Sequence, residues 1–278
     1  MYLCFHSIAF SPAGVWSNAY SLMDAASAIA RIGYSGVEMT AARPHAWPPD
    51  LDGSTRRTIR KELDNLGLRV SAVCPLIAPA LNPASPFPNE YKDARDHVLS
   101  CVRLAADLGS PLVVYPAGYV IRGTSSEEAW KRSCETLAAA AEVGRKEGVA
   151  LAVEAIRRCS SNLLWNSDQA LRMKSDVGAA NVGFTMDTFH VWAEGEQPAD
   201  VIRKYGNSLL HVHMEDASAT GTERRVPGAG ARDLPGVVRC LMEGGYEGAI
   251  SVELWGLDPV ETAEMSFRYL APLVEARV

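Results

Sequence analysis

No run of about 18 apolar residues that could cross a bilayer occurs in the 278-residue sequence, which begins Met1-Tyr2-Leu3-Cys4-Phe5-His6 without the basic flank of a secretory leader. These absences predict a cytoplasmic protein with no membrane partner. The six cysteines, at 4, 74, 101, 134, 159 and 240, form no CxxC pair. That spacing excludes a zinc ribbon or a small disulfide framework and predicts reduced thiols, most of them in the core. Positive charge is also scarce. With 27 Lys and Arg against 33 Asp and Glu, the net charge of −6 gives no chain-wide field to attract a polyanion, so nucleic acid is not an expected partner. No glycine-rich phosphate loop follows the first strand-like segment, which leaves dinucleotide-binding and P-loop architectures without support.

What is present is an ordinary globular composition. Apolar residues make up 47% and charged residues 22%, which argues against disorder and for a core that needs no staples. Short β-type runs at 3–10, 36–40, 69–75, 111–115, 150–155, 182–187, 209–214 and 249–254 alternate with helical patterns. The helices are predicted near 19–32, 54–66, 90–108, 126–147, 167–176, 198–205, 234–244 and 259–275, several stopped by glycine, as at Gly33, Gly67, Gly109 and Gly148. Eight βα units in a chain of this length fit an α/β fold, a closed (β/α)8 TIM barrel, as one domain over 1–278. Two long loops, 78–89 and 217–233, interrupt the rhythm without breaking it.

Reactive side chains of such barrels gather at the C-terminal ends of the strands. Glu154 closes Ala-Leu-Ala-Val-Glu, Asp187 closes Val-Gly-Phe-Thr-Met-Asp, His213 lies in Leu-Leu-His-Val-His, and Glu253 closes Ala-Ile-Ser-Val-Glu. These endings belong to strands five to eight, neighbours around the rim. Burying three carboxylates and an imidazole together is costly unless a cation compensates them. A divalent metal is the simplest compensation. The oxygen-rich donor set favours Mn2+, with Mg2+, Co2+ or Zn2+ as the alternatives.

The segments Gly33-Tyr34-Ser35-Gly36-Val37-Glu38, Val153-Glu154, Asp187-Thr188-Phe189-His190, His211-Val212-His213-Met214-Glu215-Asp216 and Ser251-Val252-Glu253 resemble, in order, motifs of the xylose isomerase-like TIM barrel superfamily. The match is to its sugar phosphate isomerase/epimerase branch. The resemblance implies that Glu154, Asp187, His213 and Glu253 bind one divalent metal. It also implies that Glu154 and Glu253 exchange a substrate proton through a metal-stabilised enediolate, and that His190 hydrogen-bonds a substrate oxygen. The implied partner is a small polyhydroxylated ketose or keto-sugar, and dimers or tetramers are common in the group.

Around this set, Glu38, ending strand two, is expected to bind a hydroxyl or hold an arginine. His6 and Tyr115 are read as pointing toward the mouth, with core packing the equal alternative, and Arg224, before Pro227-Gly228-Ala229-Gly230, as reaching over the site, with a plain glycine turn the alternative. His211, two residues before His213, should lie one layer deeper. Trp16, Trp47 and Trp165 are candidates for pocket walls or for covering the core. Arg157 and Arg158 are read as a solvated pair or as binders of a carboxylate, a phosphate or a nearby acid. The resemblance also has a gap: ketohexose 3-epimerases usually carry a glutamate six residues beyond the strand-five ligand, where this chain has Ser160. A metal-dependent lyase or dehydratase acting on a keto-inositol, a dehydroshikimate-like acid or a 3-keto-glycoside would use the same first step. The further alternatives are an abasic-site endonuclease, which needs a three-zinc cluster richer in histidine, and a non-catalytic partner subunit.

Overall fold

The computed structural model describes residues 1–11, 19–76 and 81–275. Eight parallel strands form a closed barrel in chain order: β1 (Tyr2–His6), β2 (Gly36–Thr40), β3 (Arg69–Cys74), β4 (Leu112–Pro116), β5 (Ala150–Glu154), β6 (Val182–Asp187), β7 (Leu209–His213) and β8 (Ala249–Val252), which pairs back with β1. The expected (β/α)8 architecture is therefore the observed one. The helices are α1 (Leu22–Ile32), α2 (Gly53–Asn65), α3 (Pro88–Leu108), α4 (Ser126–Glu147), α5 (Ser167–Val177), α6 (Thr188–Ala193), α7 (Pro198–Tyr205), α8 (Leu234–Glu243) and α9 (Pro259–Glu275). Among the described residues, no helix is long and apolar enough to cross a membrane. Trp16 and residues 78–80 of the first long loop lie outside the described residues.

Strand residues alternate in direction, and the alternation sorts the interior into two cores. Phe5, Val37, Met39, Val113, Tyr115, Val153, Phe184, Val212 and Ile250 face outward into the large core beneath the helices. Their neighbours face the barrel axis, where Ala72, Cys74, Leu112, Val114 and Ala152 form a small apolar cluster. The helix ends are local. Ser21, Ser125 and Asn166 each cap the following helix by accepting a backbone N–H. Gly33 ends α1 at φ +116°, where a side chain would also strike the Phe267 ring.

Strand one is shorter than the sequence pattern suggests. His6 ends it because its Nδ1 accepts the Ile8 backbone N–H at 3.0 Å, turning Ser7–Phe10 into a 3-10 turn. A short helix, α6, which apolar periodicity did not signal, follows β6. It is capped by Asp187, whose Oδ1 accepts the His190 N–H at 2.9 Å.

Candidate functional site

Ladder register brings the strand-end residues together. Asp187 pairs with His213 across β6 and β7, and Ser251 pairs with His213 across β7 and β8, so Glu253, two residues on, shares its face. Glu154 ends β5 opposite Thr185. Glu154, Asp187, His213 and Glu253 are all buried, and each offers a donor atom within 4.8 Å of the others. His213 Nδ1 lies 3.0 Å from Glu154 Oε1 and 3.2 Å from Glu253 Oε2, while its Nε2 lies 3.0 Å from Glu38 Oε1. With carboxylates at both ring nitrogens, His213 is held protonated. Burial opposes that charge, but Glu38, Glu253 and Glu154 outweigh it and raise the pKa well above the usual value.

Glu38 occupies the layer below. It is fully buried, and its Oε2 receives His211 Nε2 at 2.9 Å. Burial would raise its pKa, yet His213, His6 and His211 hold it well below the carboxylate range. The expectation that Glu38 binds substrate is corrected: both oxygens face ring nitrogens beneath the site. The arrangement orients His213 so that Nδ1 faces the other three donors. His211 lies in the deeper layer that its spacing predicts. His6 also belongs beneath the site rather than at the open mouth. Its Nδ1 lone pair is taken by Ile8, so its proton sits on Nε2, 3.5 Å from Glu38 and 3.9 Å from Glu253. Burial lowers its pKa and keeps the ring neutral.

Tyr115 is the clearest correction. It faces away from the barrel axis and donates its hydroxyl to the Ser133 carbonyl of α4 at 2.8 Å, with no exposed surface. The ladder sets this: Tyr115 pairs with Val153, which faces the helices, and Pro116 with Glu154, so Val114 and Pro116 face inward and Tyr115 outward.

Arg224 does reach the site. Residues 216–217 pair as an antiparallel ribbon with 224–225, Ala217 opposite Arg224. The guanidinium lies between the rings of Phe189 and Trp255, at 4.5 and 4.7 Å from their centroids. Its Nη1 binds Glu215 and donates to the Glu253 carbonyl at 3.2 Å, and its Nη2 donates to Asp187 Oδ2 at 3.1 Å. Nη2 also lies 3.3 Å from His190 Nε2, which must accept, so the His190 proton sits on Nδ1, a buried atom without a partner among the described residues. Burial lowers the pKa of His190 to about 4, keeping it neutral.

The glycines of the neighbouring loop serve Asp216. This buried carboxylate accepts N–H groups from Gly228, Gly230 and Arg232 at 3.0–3.2 Å, and a side chain at Gly230 would collide with it. Glu215 was missed as a site residue. It is fully buried and bound to Arg224, and its Oε2 has no partner among the described residues. Burial pushes its carboxyl well above the usual range. The available signal was its place two residues beyond His213, in the same motif.

Of the tryptophans, Trp47 stacks on His97 at 4.5 Å and Trp165 lies under Arg158 at 5.4 Å. Arg158 pairs with Glu194 at 2.7 Å.

The two glutamates beside His213 are tuned apart. Burial raises the Glu154 carboxyl to about 7. For Glu253 burial pushes the same way, but His213 and Arg224 outweigh it and bring its pKa down to about 2. Adjacent acids that differ in this way divide naturally into a proton carrier and a proton acceptor. Three carboxylates and one imidazole also form a hard donor set suited to a divalent ion.

The chain matches related proteins over most of its length. Fructoselysine 3-epimerase of Escherichia coli O157:H7 is 24% identical over 234 residues, covering 80% of this chain and 82% of that protein. Inosose isomerase of Halalkalibacterium halodurans is 34% identical over 134 residues, covering 45% and 46%. The crystal structure of D-psicose 3-epimerase with D-tagatose from Clostridium cellulolyticum H10 superposes with a TM-score of 0.83 at 18% identity, covering 99% of this chain and 100% of that one. The family described as xylose isomerase-like TIM barrel matches residues 26–273, and with the barrel and its order of strands this chain belongs to that family.

Proposed function

We propose that this protein is a divalent-metal-dependent isomerase or epimerase acting on a small polyhydroxylated ketose, with Glu154 and Glu253 as its acid and base. One observation carries the reading: four donors from neighbouring strands converge within 4.8 Å, and the two glutamates among them hold their protons very differently. The activities for which the relatives are named, 3-epimerase and inosose isomerase, support the reaction class.

Carboxylate oxygens of Glu154, Asp187 and Glu253 and Nδ1 of His213 would hold the ion, with Mn2+ the first choice for this donor set and Mg2+, Co2+ and Zn2+ its rivals. Such an ion, when bound, withdraws electron density from a carbonyl and so acidifies the neighbouring C–H. Glu253, the stronger acid and therefore ionised, accepts the carbon-bound proton on a carboxylate oxygen. Glu154, the more basic of the two carboxylates, takes a proton from solvent and passes it to the resulting enediolate while Glu253 releases its own to solvent, and the roles reverse in the back reaction. His190 offers its Nδ1–H, which has no partner among the described residues, to a substrate oxygen. Arg224, fixed by Glu215 and Asp187, closes the other side with its remaining donor capacity. The reading places the enzyme in the cytoplasm, where thiols stay reduced, consistent with six free cysteines.

The test is solvent exchange. Protein loaded with Mn2+ and incubated in heavy water with D-psicose, D-fructose, L-ribulose or an inosose should place deuterium in a product of unchanged composition. At saturating metal, Glu154→Gln and Glu253→Gln should each slow exchange about 10²–10⁴-fold. No exchange with any of the four sugars would contradict the proposal. Loss of water would reassign the site to elimination.

A further inference from the structure

We infer that Arg157 forms a subsite for an anionic group, a carboxylate or a phosphate, carried by the substrate away from its reacting carbon. The inference rests on the isomerase reading and specifies its substrate class. Arg157 follows the β5 ligand Glu154 by three residues and is half-buried. Its guanidinium lies 4.7 Å from the Phe189 ring centroid, and Arg224 lies 4.5 Å from the same centroid. One phenyl ring therefore joins two cations, and the His190 ring lies 5.6 Å from it.

The neighbouring arginines are already engaged by acids. Arg158 pairs with Glu194, Arg225 with Glu223, and Arg224 with Glu215 and Asp187. Arg157 has only neutral acceptors among the described residues: its Nε donates to Ser160 Oγ at 3.1 Å and its Nη1 to the Thr222 carbonyl at 3.4 Å. These contacts fix the fork in place without neutralising it and leave its charge over the Phe189 ring, which also borders His190. A ligand anion there would complete a charge-assisted pair and relieve the repulsion between the two guanidiniums sharing Phe189.

The test uses three substrates with the same ketose skeleton: D-fructose, D-fructuronate and D-fructose 6-phosphate. In the Mn2+-loaded protein, kcat/KM for deuterium exchange should favour at least one anionic substrate over D-fructose, and the preferred one identifies the anion as carboxylate or phosphate. Arg157→Gln should lower kcat/KM for that substrate roughly 10–100-fold, mainly through KM, with D-fructose changed by less than about threefold. Arg157→Lys should recover part of the loss. Equal loss on all three substrates, or no anionic preference in the wild type, would overturn the subsite. Calorimetric binding of the same compounds separates this outcome from failure of the isomerase reading. Arg157-dependent binding of an anionic sugar without exchange contradicts the reaction and supports the subsite, whereas exchange with D-fructose and no Arg157-dependent binding does the reverse.

Discussion

The two sides of the barrel interior are built on opposite principles. On β3 to β5 the inward residues Ala72, Leu112, Val114 and Ala152 are apolar and packed on one another. On β1, β2 and β7 the inward residues His6, Glu38, His211 and His213 are ionisable and fully buried. The apolar side is stabilised by removal of surface from water, a contribution that each residue makes nearly independently. On the polar side no residue is independent. Glu38 stays ionised because three histidines surround it, and His213 stays protonated because three carboxylates do. The first side supplies stability, and the second fixes where charge and protons lie.

That contrast can be broken experimentally. Leu112→Ala on the apolar side should cost about 2–5 kcal/mol of stability by denaturant titration. Metal affinity should stay within about twofold of wild type, because the substitution is separate from the site. Glu38→Gln should give the opposite pattern. It removes the anionic acceptor beneath His213 and should weaken Mn2+ binding about 10–100-fold by calorimetry. If both variants changed stability and affinity alike, the division between the two sides would fail.

Acidity should affect only the polar side. The Glu154 carboxyl, raised to about 7 by burial, holds its proton below that pH and must lose it to accept a cation. Metal affinity should therefore fall by up to about tenfold for each pH unit below 7 and go on rising above it as the proton held on His213 is displaced, read by calorimetry across pH. A flat profile between pH 5 and 7 would contradict this tuning. The smallest effect is expected outside the barrel axis. Tyr115→Phe should cost about 1 kcal/mol through its lost bond to Ser133 and leave exchange kinetics unchanged.

Most of the framework was legible in the sequence because parallel strands and their crossovers impose a rhythm on the order of apolar runs, helical patterns and glycine stops. Strands 36–40 and 182–187 and helices 126–147, 198–205 and 259–275 carry the boundaries their patterns predict. The residues at the ends of β5 to β8 were legible because a barrel gathers such ends at one face. Facing was harder to read. Tyr115 faces the helix layer rather than the mouth because its ladder partner is Val153, and no local signal in the apolar run of β4 sets that phase. His6 and Glu38 are inward-facing, but their depth depends on ladder pairing, His6 opposite Glu38. Glu215 was obscure for another reason. Its importance comes from Arg224, nine residues away and returned to it only by the ribbon at 216–217 and 224–225.

The central claim is that one divalent ion is gathered by Glu154, Asp187, His213 and Glu253, and calorimetric titration of the chelator-stripped protein with Mn2+ tests it most directly. The account predicts saturable uptake of one ion per chain, weakened at least about 100-fold in Asp187→Asn, which removes a ligand charge while leaving Oδ1 able to cap α6. Absence of saturable uptake, or uptake that Asp187→Asn leaves intact, would contradict it.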